Sequence, residues 1–485
     1  MAKQIYPCVL QQWLKSMLVN NKMKSISQLM QDGVNDGVFP SGVLLISHKD
    51  KIIFHEAFGV ANIEARQLVQ KDSIFDLASL TKPLATALCV MKLVEQGILC
   101  LEQRLSQIQH IVQTLPNYAK PLPSPPHRGG SNVISSPHMV GSDIIPPLHM
   151  GRGQGGGANY CVTSINNDAE FAIPKDKADI TLDQLLRHTS GLPAHRPFYQ
   201  ELILHPEPER KKLLRELILK EPLVQKPGKE QIYSDLGYML LAWIVERVSG
   251  FSLDIFAYKF IYEPIGINNL FFIPIHQNSC SDKSYSKNIN CKNNNDLNKY
   301  IKKQIADLKQ HKLFVPTEIC PWRKKMLQAE VHDDNAWAVG GVEGHAGLFG
   351  TALGVWSILI ELMKILHGDE SLLVRSDILK IFLAKKSRVE ITYNHHMFES
   401  IISKRFDMVA GFDTPSVKGS SSGRYFASES IGHLGFTGTS FWLDPIKSLI
   451  VILLSNRVHP TRTNQKIKEF RPKLHDLIME TLGIT

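Results

Sequence analysis

Ser79 and Lys82 stand three positions apart in the run Asp76-Leu77-Ala78-Ser79-Leu80-Thr81-Lys82-Pro83. An apolar-periodic stretch follows, with Leu84, Leu88, Met91 and Val94 spaced for one helix face and Gly97 placed as its C-cap. Pro83 suits a first helical turn, where its missing N–H costs nothing. The pattern predicts both side chains on one face of a helix N-terminus. A serine hydroxyl is a weak nucleophile until a base takes its proton. A lysine can be that base where burial and positive surroundings lower its pKa. The helix N-terminus favours negative charge developing on the serine. The same spacing recurs at Ser284 to Lys287, but inside a polar Asn/Lys-rich segment with no apolar helix behind it, and it reads as chance.

Three further segments bear on this pair. Gln231-Ile232-Tyr233-Ser234-Asp235-Leu236-Gly237-Tyr238 precedes a helical run through Leu240, Leu241, Ile244 and Val245. His433-Leu434-Gly435-Phe436-Thr437-Gly438-Thr439 precedes a β-hairpin pattern. Residues 185–193, containing His188-Thr189-Ser190-Gly191-Leu192-Pro193, read as a helix end and turn. Ser79-x-x-Lys82, Tyr233-x-Asp235 and His433-x-Gly435, in that order, resemble the motifs of the serine β-lactamase and penicillin-binding-protein superfamily, in its class C-like branch of β-lactamases, peptidases and esterases. Residues 188–193 and the Gly-rich stretch 340–347 are similar to further landmarks of that branch, and the resemblance covers roughly 23–485 apart from two insertions.

The resemblance implies an acyl-enzyme on Ser79, with Lys82 and Tyr233 sharing the proton transfers. It implies an oxyanion hole from the backbone amides of Ser79 and Phe436, Asp235 orienting Lys82 and substrate, and His433 and Gly435 lining the acyl pocket. It calls for no cofactor and no metal. Two departures bear on the substrate. His433 stands where the family often has lysine, and an imidazole with an ordinary pKa of about 6.5 is mostly neutral near pH 7. Asp235 stands where asparagine is common and adds a negative charge. Both disfavour an anionic substrate, so the expected activity is that of an esterase-like hydrolase acting on a small-molecule ester or amide. A β-lactamase or D-alanyl-D-alanine carboxypeptidase is the alternative, and a catalytically degenerate binding protein the second.

The elements that must hold these residues are legible in outline. Residues 23–38 form an amphipathic helix pattern through Ile26, Leu29, Met30 and Val34. Residues 42–58 read as a hairpin about His48-Lys49-Asp50, residues 440–455 as a second about Asp444-Pro445, and residues 463–482 as a final helix interrupted by Pro472. Strands at both ends of the chain with helices between predict an α+β fold. One antiparallel sheet is flanked by N- and C-terminal helices, with an inserted mainly helical domain. The sheet domain is expected over 1–72 and 335–485 and the helical domain over 73–334, the site lying at their seam.

Two insertions are expected in the helical part. Residues 121–157 hold seven Pro and eight Gly without a collagen period, a composition that predicts disorder. Residues 276–313 hold eight Lys and three Asp and supply +5 of the +9 net charge, so the basic balance reads as a solvated insertion and not as a nucleic-acid surface. Seven cysteines without a CxxC pair indicate neither a disulfide framework nor a zinc site, and Cys89 and Cys100 are expected in the core. No apolar run is long enough for a membrane span, and no signal peptide is recognised, so a cytoplasmic location is expected. Gly419-Ser420-Ser421-Ser422-Gly423 matches a nucleophile elbow by pattern but lacks the flanking strand and helix, and it is expected to be a loop.

Overall fold

The computed structural model of the chain describes residues 23–108, 172–275, 303, 305–310, 312–390, 404–416 and 419–485. Helix α1 spans 23–35. Strands β1 (Ser41–His48) and β2 (Lys51–Asn62) form the first hairpin, and β3 (Gln67–Leu68) adds to its edge. Near the other end come β4 (Ile431–Leu434), β5 (Ser440–Asp444) and β6 (Leu449–Ser455). The six make one sheet in the order β4-β5-β6-β1-β2-β3, antiparallel throughout. β1 pairs with β6 in an unbroken register from Gly42↔Ser455 to His48↔Leu449, which joins the two ends of the chain at the sheet centre.

Both faces of that centre are covered, which is why β1 and β6 read as continuous apolar runs. Leu44, Ile46, Val451 and Leu453 pack against Ile26 and Met30 of α1 and Phe470, Leu474 and Ile478 of the last helix. Val43, Leu45, Ile450 and Ile452 face the opposite core, shared with Ile358 and Leu359 of the helix Ala352–His367. Each fully buried aliphatic side chain of this kind is worth about 1.5–3 kcal/mol. Three segments of the middle of the chain, Phe75–Asp76, Leu270–Phe272 and Leu348–Gly350, form a small separate sheet directly ahead of Ser79.

The helix predicted after Ser79 is present with an altered start. Ala78–Leu80 is a 3-10 turn, Lys82–Ala87 is wound as a π-helix with Pro83 at its beginning, and regular α2 covers only Leu88–Glu95. Gly97, at φ +70°, closes it as expected. α3 (Asp235–Ser249) follows the second motif and is buried along nearly its whole length. α4 (Ile467–Leu482) is the last helix and accommodates Pro472 within its first turns, where few intrahelical bonds are lost.

Some expectations need correction. Cys100 is exposed, because it falls in the turn after the Gly97 cap; Cys89 is buried. Residues 305–310 are helical, and Ile305 packs with Phe314 in an apolar cluster, so the end of the Asn/Lys-rich segment belongs to the fold. Ile74 hydrogen bonds on both sides of Phe314, to Leu313 and Val315. The insertion read over 121–157 lies outside the described residues. Ser420 and Ser422 sit in a turn with their hydroxyls 2.7 Å apart, and among the described residues neither a strand directly precedes nor a helix directly follows them. Among the described residues no helix is long and apolar enough to cross a membrane.

Candidate active site

The turn carrying Ser79 is built from its neighbours inward. The buried Asp76 carboxylate accepts the Ala78 N–H at 2.8 Å and the His332 N–H at 2.7 Å. Burial raises the Asp76 pKa, and those amides work against it. Thr81 donates to the Ala78 carbonyl at 2.6 Å and accepts the Leu348 N–H at 3.1 Å. Between these anchors Ala78 is held at φ +48°, a conformation that costs a non-glycine residue about 1–3 kcal/mol. The turn so fixed leaves Ser79 half-buried, facing the fully buried Lys82.

Lys82 Nζ lies 3.1 Å from Ser79 Oγ, 2.8 Å from Asp235 Oδ1 and 3.2 Å from the His345 carbonyl. It also sits 4.8 Å from the centre of the Tyr233 ring and 5.6 Å from that of Tyr238. Burial pulls the ammonium pKa down, but the Asp235 charge and its 2.8 Å hydrogen bond outweigh it, and the net shift is upward. This overturns the expectation of a lysine lowered by positive surroundings. The immediate partner is a carboxylate, so Lys82 is a cation. Asp235 answers in kind. Burial would raise it, yet the Lys82 charge and the nearby His195 imidazole hold it well below the usual carboxylate range.

Tyr233 closes the group from the α3 side. Burial pushes its hydroxyl up to about 12, while the Lys82 charge pulls the other way. The residue is 41 % exposed, so water in the open cleft tempers the burial effect. The segment carrying Tyr233 and Asp235 is strapped to the turn at 188–194. His188 takes the Ile232 N–H on its carbonyl (2.8 Å) and the Ser234 N–H on Nδ1 (3.0 Å), and Ala194 takes the Asp235 N–H at 2.9 Å. The His188 ring stacks on Tyr233 at 4.6 Å, and burial and Lys82 hold it neutral with its pKa lowered to about 3. Ser234 caps α3 and donates to the Pro193 carbonyl at 2.7 Å.

The far wall is the end of β4. The His433 ring lies 5.9 Å from that of Tyr233. Its Nδ1, 3.0 Å from the Leu434 carbonyl, must carry a proton, which leaves Nε2 an acceptor because burial lowers the imidazole pKa and keeps it neutral. The loop after β4 is pinned beside the nucleophile turn. Thr437 donates to the Asp76 carbonyl at 2.8 Å and Thr439 to the Leu77 carbonyl at 3.1 Å. Gly435 is what permits this approach: a Cβ there would lie 1.9 Å from Thr439 Oγ1 and 2.8 Å from the Leu77 carbonyl. Among the described residues neither the Ser79 nor the Phe436 N–H is spent on another protein group.

The structure thus brings Ser79, Lys82, Tyr233, Asp235, His433, Gly435 and Phe436 to one cleft. Sequence reading missed four contributors. His188 and His195 read as a helix-end and a loop residue; the first clamps the Tyr233 segment and the second places Nδ1 3.6 Å from Asp235. His345 contributes through its main chain, in a loop held by the buried Arg215–Glu343 pair (2.7 Å) and by Thr86 on the Gly344 carbonyl (2.7 Å). Arg471 reaches the Gly435 carbonyl from behind. Only the Thr-Ser-Gly turn after His188 signalled a fixed backbone there. Among the described residues no group of three or more His, Cys, Asp or Glu side chains gathers as a metal site would require.

A helix-borne serine and lysine beside an antiparallel sheet edge define a serine hydrolase of the β-lactamase fold. The chain belongs to that family: the beta-lactamase family model matches residues 26–473. It is 26% identical over 463 residues to a putative D-alanyl-D-alanine carboxypeptidase of Escherichia coli K12, covering 92% of this chain and 84% of the relative. It is likewise 26% identical over 458 residues to an N-acetylmuramyl-L-alanine amidase of Bacillus subtilis 168, covering 90% of this chain and 81% of that one. In fold it is similar to the octameric penicillin-binding protein homologue from Pyrococcus abyssi, with TM-score 0.58 and 17% identity over 95% of this chain and 77% of that one.

Proposed function

We propose that the protein hydrolyses a small neutral ester through a covalent acyl-enzyme on Ser79. The observation that carries this reading is the 3.1 Å contact of Ser79 Oγ with the Lys82 ammonium, which Asp235 holds in turn at 2.8 Å. Because Lys82 is cationic, the proton acceptor is Tyr233 in its phenolate form, a minor species that the adjacent ammonium stabilises. Ser79 Oγ attacks the acyl carbon as its proton passes to Tyr233 Oη. The tetrahedral oxyanion rests on the Ser79 and Phe436 amides. Tyr233 then returns the proton to the leaving oxygen, and water repeats the sequence in reverse to release the acid. The ester preference follows from charge: an incoming carboxylate would meet Asp235 and a neutral imidazole acceptor at His433. No cofactor or metal is needed for these steps.

A second reading is D-alanyl-D-alanine carboxypeptidase action, favoured by the E. coli relative's name and its 84% coverage. The test is turnover of a p-nitrophenyl ester with mass mapping after a fluorophosphonate probe. Ser79→Ala is expected to lose the adduct and about 10⁴-fold or more of the rate. Labelling of the Ala variant to the parent's extent would overturn the reading, and absence of any adduct on the parent would favour a degenerate binding protein. Release of D-alanine from a D-Ala-D-Ala peptide faster than ester turnover would favour the peptidase.

A further inference from the structure

Arg471, on α4, is 5% exposed and has no carboxylate partner among the described residues. Its Nη2 donates to two carbonyls, Thr439 at 2.8 Å and Gly435 at 3.3 Å, and its Nε has no hydrogen-bond partner among the described residues. The neighbouring charge that acts on it is another cation, Arg457, whose Nε takes the Phe436 carbonyl at 2.8 Å. Burial pulls the Arg471 pKa down to about 9, so it stays cationic at neutral pH. A buried guanidinium without a counter-ion is costly, and for the sheet alone an apolar side chain of similar volume would serve as well or better. Its position supplies the reason. The Gly435 carbonyl and the Phe436 N–H are opposite ends of one conjugated peptide plane. A cation donating to the oxygen draws electron density across the amide and makes the N–H a stronger donor.

We infer that Arg471 is a positioning and polarising residue for the oxyanion hole, acting on the transition-state oxyanion through the Gly435–Phe436 peptide without touching substrate. This rests on the ester-hydrolysis reading, in which the Phe436 N–H receives the oxyanion. Nothing in the motif run His433 to Thr439 announces it, because the residue is supplied by the last helix, behind the sheet.

The test uses the full chain with Arg471→Gln and Arg471→Lys. The readouts are the acylation rate constant and KM with the p-nitrophenyl ester, the affinity of an arylboronic acid that forms a tetrahedral adduct, and the affinity of the carboxylate product. The expected result for Arg471→Gln is a ~10-fold lower acylation rate, KM within about twofold of the parent, a parallel loss of boronate affinity and unchanged product affinity. Arg471→Lys, which keeps a cation, should recover part of the loss. An acylation rate for folded Arg471→Gln within about twofold of the parent overturns the inference, as does a loss carried by KM. Should Arg471→Gln fail to fold, Arg471→Lys decides: boronate affinity falling while product affinity holds supports it, and equal or no change in both overturns it. A parent chain that takes no adduct on Ser79 would instead sink the ester reading itself.

Discussion

The two walls of the cleft handle charge in opposite ways. On the helical wall, full charges face each other inside the site: the Lys82 ammonium against Asp235 at 2.8 Å, with the Tyr233 phenol alongside. On the sheet wall, the groups that face the cleft are neutral, namely the His433 imidazole and backbone amides, while the cations Arg457 and Arg471 stand behind the strand end on the carbonyls of Phe436 and Gly435. The first arrangement can move protons, since opposite charges make one protonation state respond to another. The second can only present a fixed field, which is what a developing oxyanion needs. The division teaches where a substitution should change pH dependence and where it should change rate alone.

The comparison breaks most visibly at Tyr233. Tyr233→Phe removes the proposed proton acceptor and leaves the ring beside His188, so acylation should fall ~10³-fold with the melting temperature nearly unchanged. A variant within tenfold of the parent would move the base role elsewhere. Asp235→Asn sharpens the contrast further. In the parent, the acylation rate should climb with pH through 9, because Lys82 and Tyr233 both hold their protons there. With the carboxylate gone, its charge no longer raises the Tyr233 hydroxyl, and the rising limb should move ~1 pH unit or more toward acid. A limb that stays in place, or moves toward alkali, refutes the role given to Asp235.

The smallest effect belongs to the sheet wall. His475 of α4 donates from Nδ1 to the Ser421 carbonyl at 2.7 Å, and burial lowers its pKa to about 4. The folded value lies below the unfolded one, so between pH 6.5 and 4 the unfolded chain binds the extra proton and stability falls as pH falls. At pH 5 this one imidazole should cost about 2 kcal/mol relative to pH 7. His475→Asn, which keeps a donor for Ser421, should flatten urea midpoints over that range by a corresponding amount. Identical pH slopes in parent and variant would show that burial does not govern this wall.

The parts of the fold that follow periodicity could be read directly. Both hairpins, the terminal helices and the helix after Ser79 carry their signal in adjacent residues, and the alternating faces of β1 and β6 explain their uniformly apolar runs. The site was legible as three motifs and not as electrostatics. Whether Lys82 is raised or lowered depends on Asp235, 153 positions away along the chain, and no local pattern gives that distance. His188, His195 and Arg471 stayed hidden for the same reason. Each acts through a partner brought near only by the turn at 188–194, the start of α3 or the packing of the last helix. The π-helical start after Ser79 was invisible as well, because its winding does not show in the apolar spacing of residues 82–87.

The pairing of β1 with β6 sets an order of events. Ser41 and Asn456, 415 positions apart, share a hydrogen bond where β1 meets β6, and the Gly435–Phe436 loop lies on the late-made side of that pairing. During synthesis the nucleophile turn leaves the ribosome long before the strand that completes its cleft, and such distant closures are slow to form. A nascent or truncated chain would thus carry the serine and lysine without the wall that makes them reactive. On the proposed mechanism, the topology would leave the site incomplete until the last strands of the sheet have been translated.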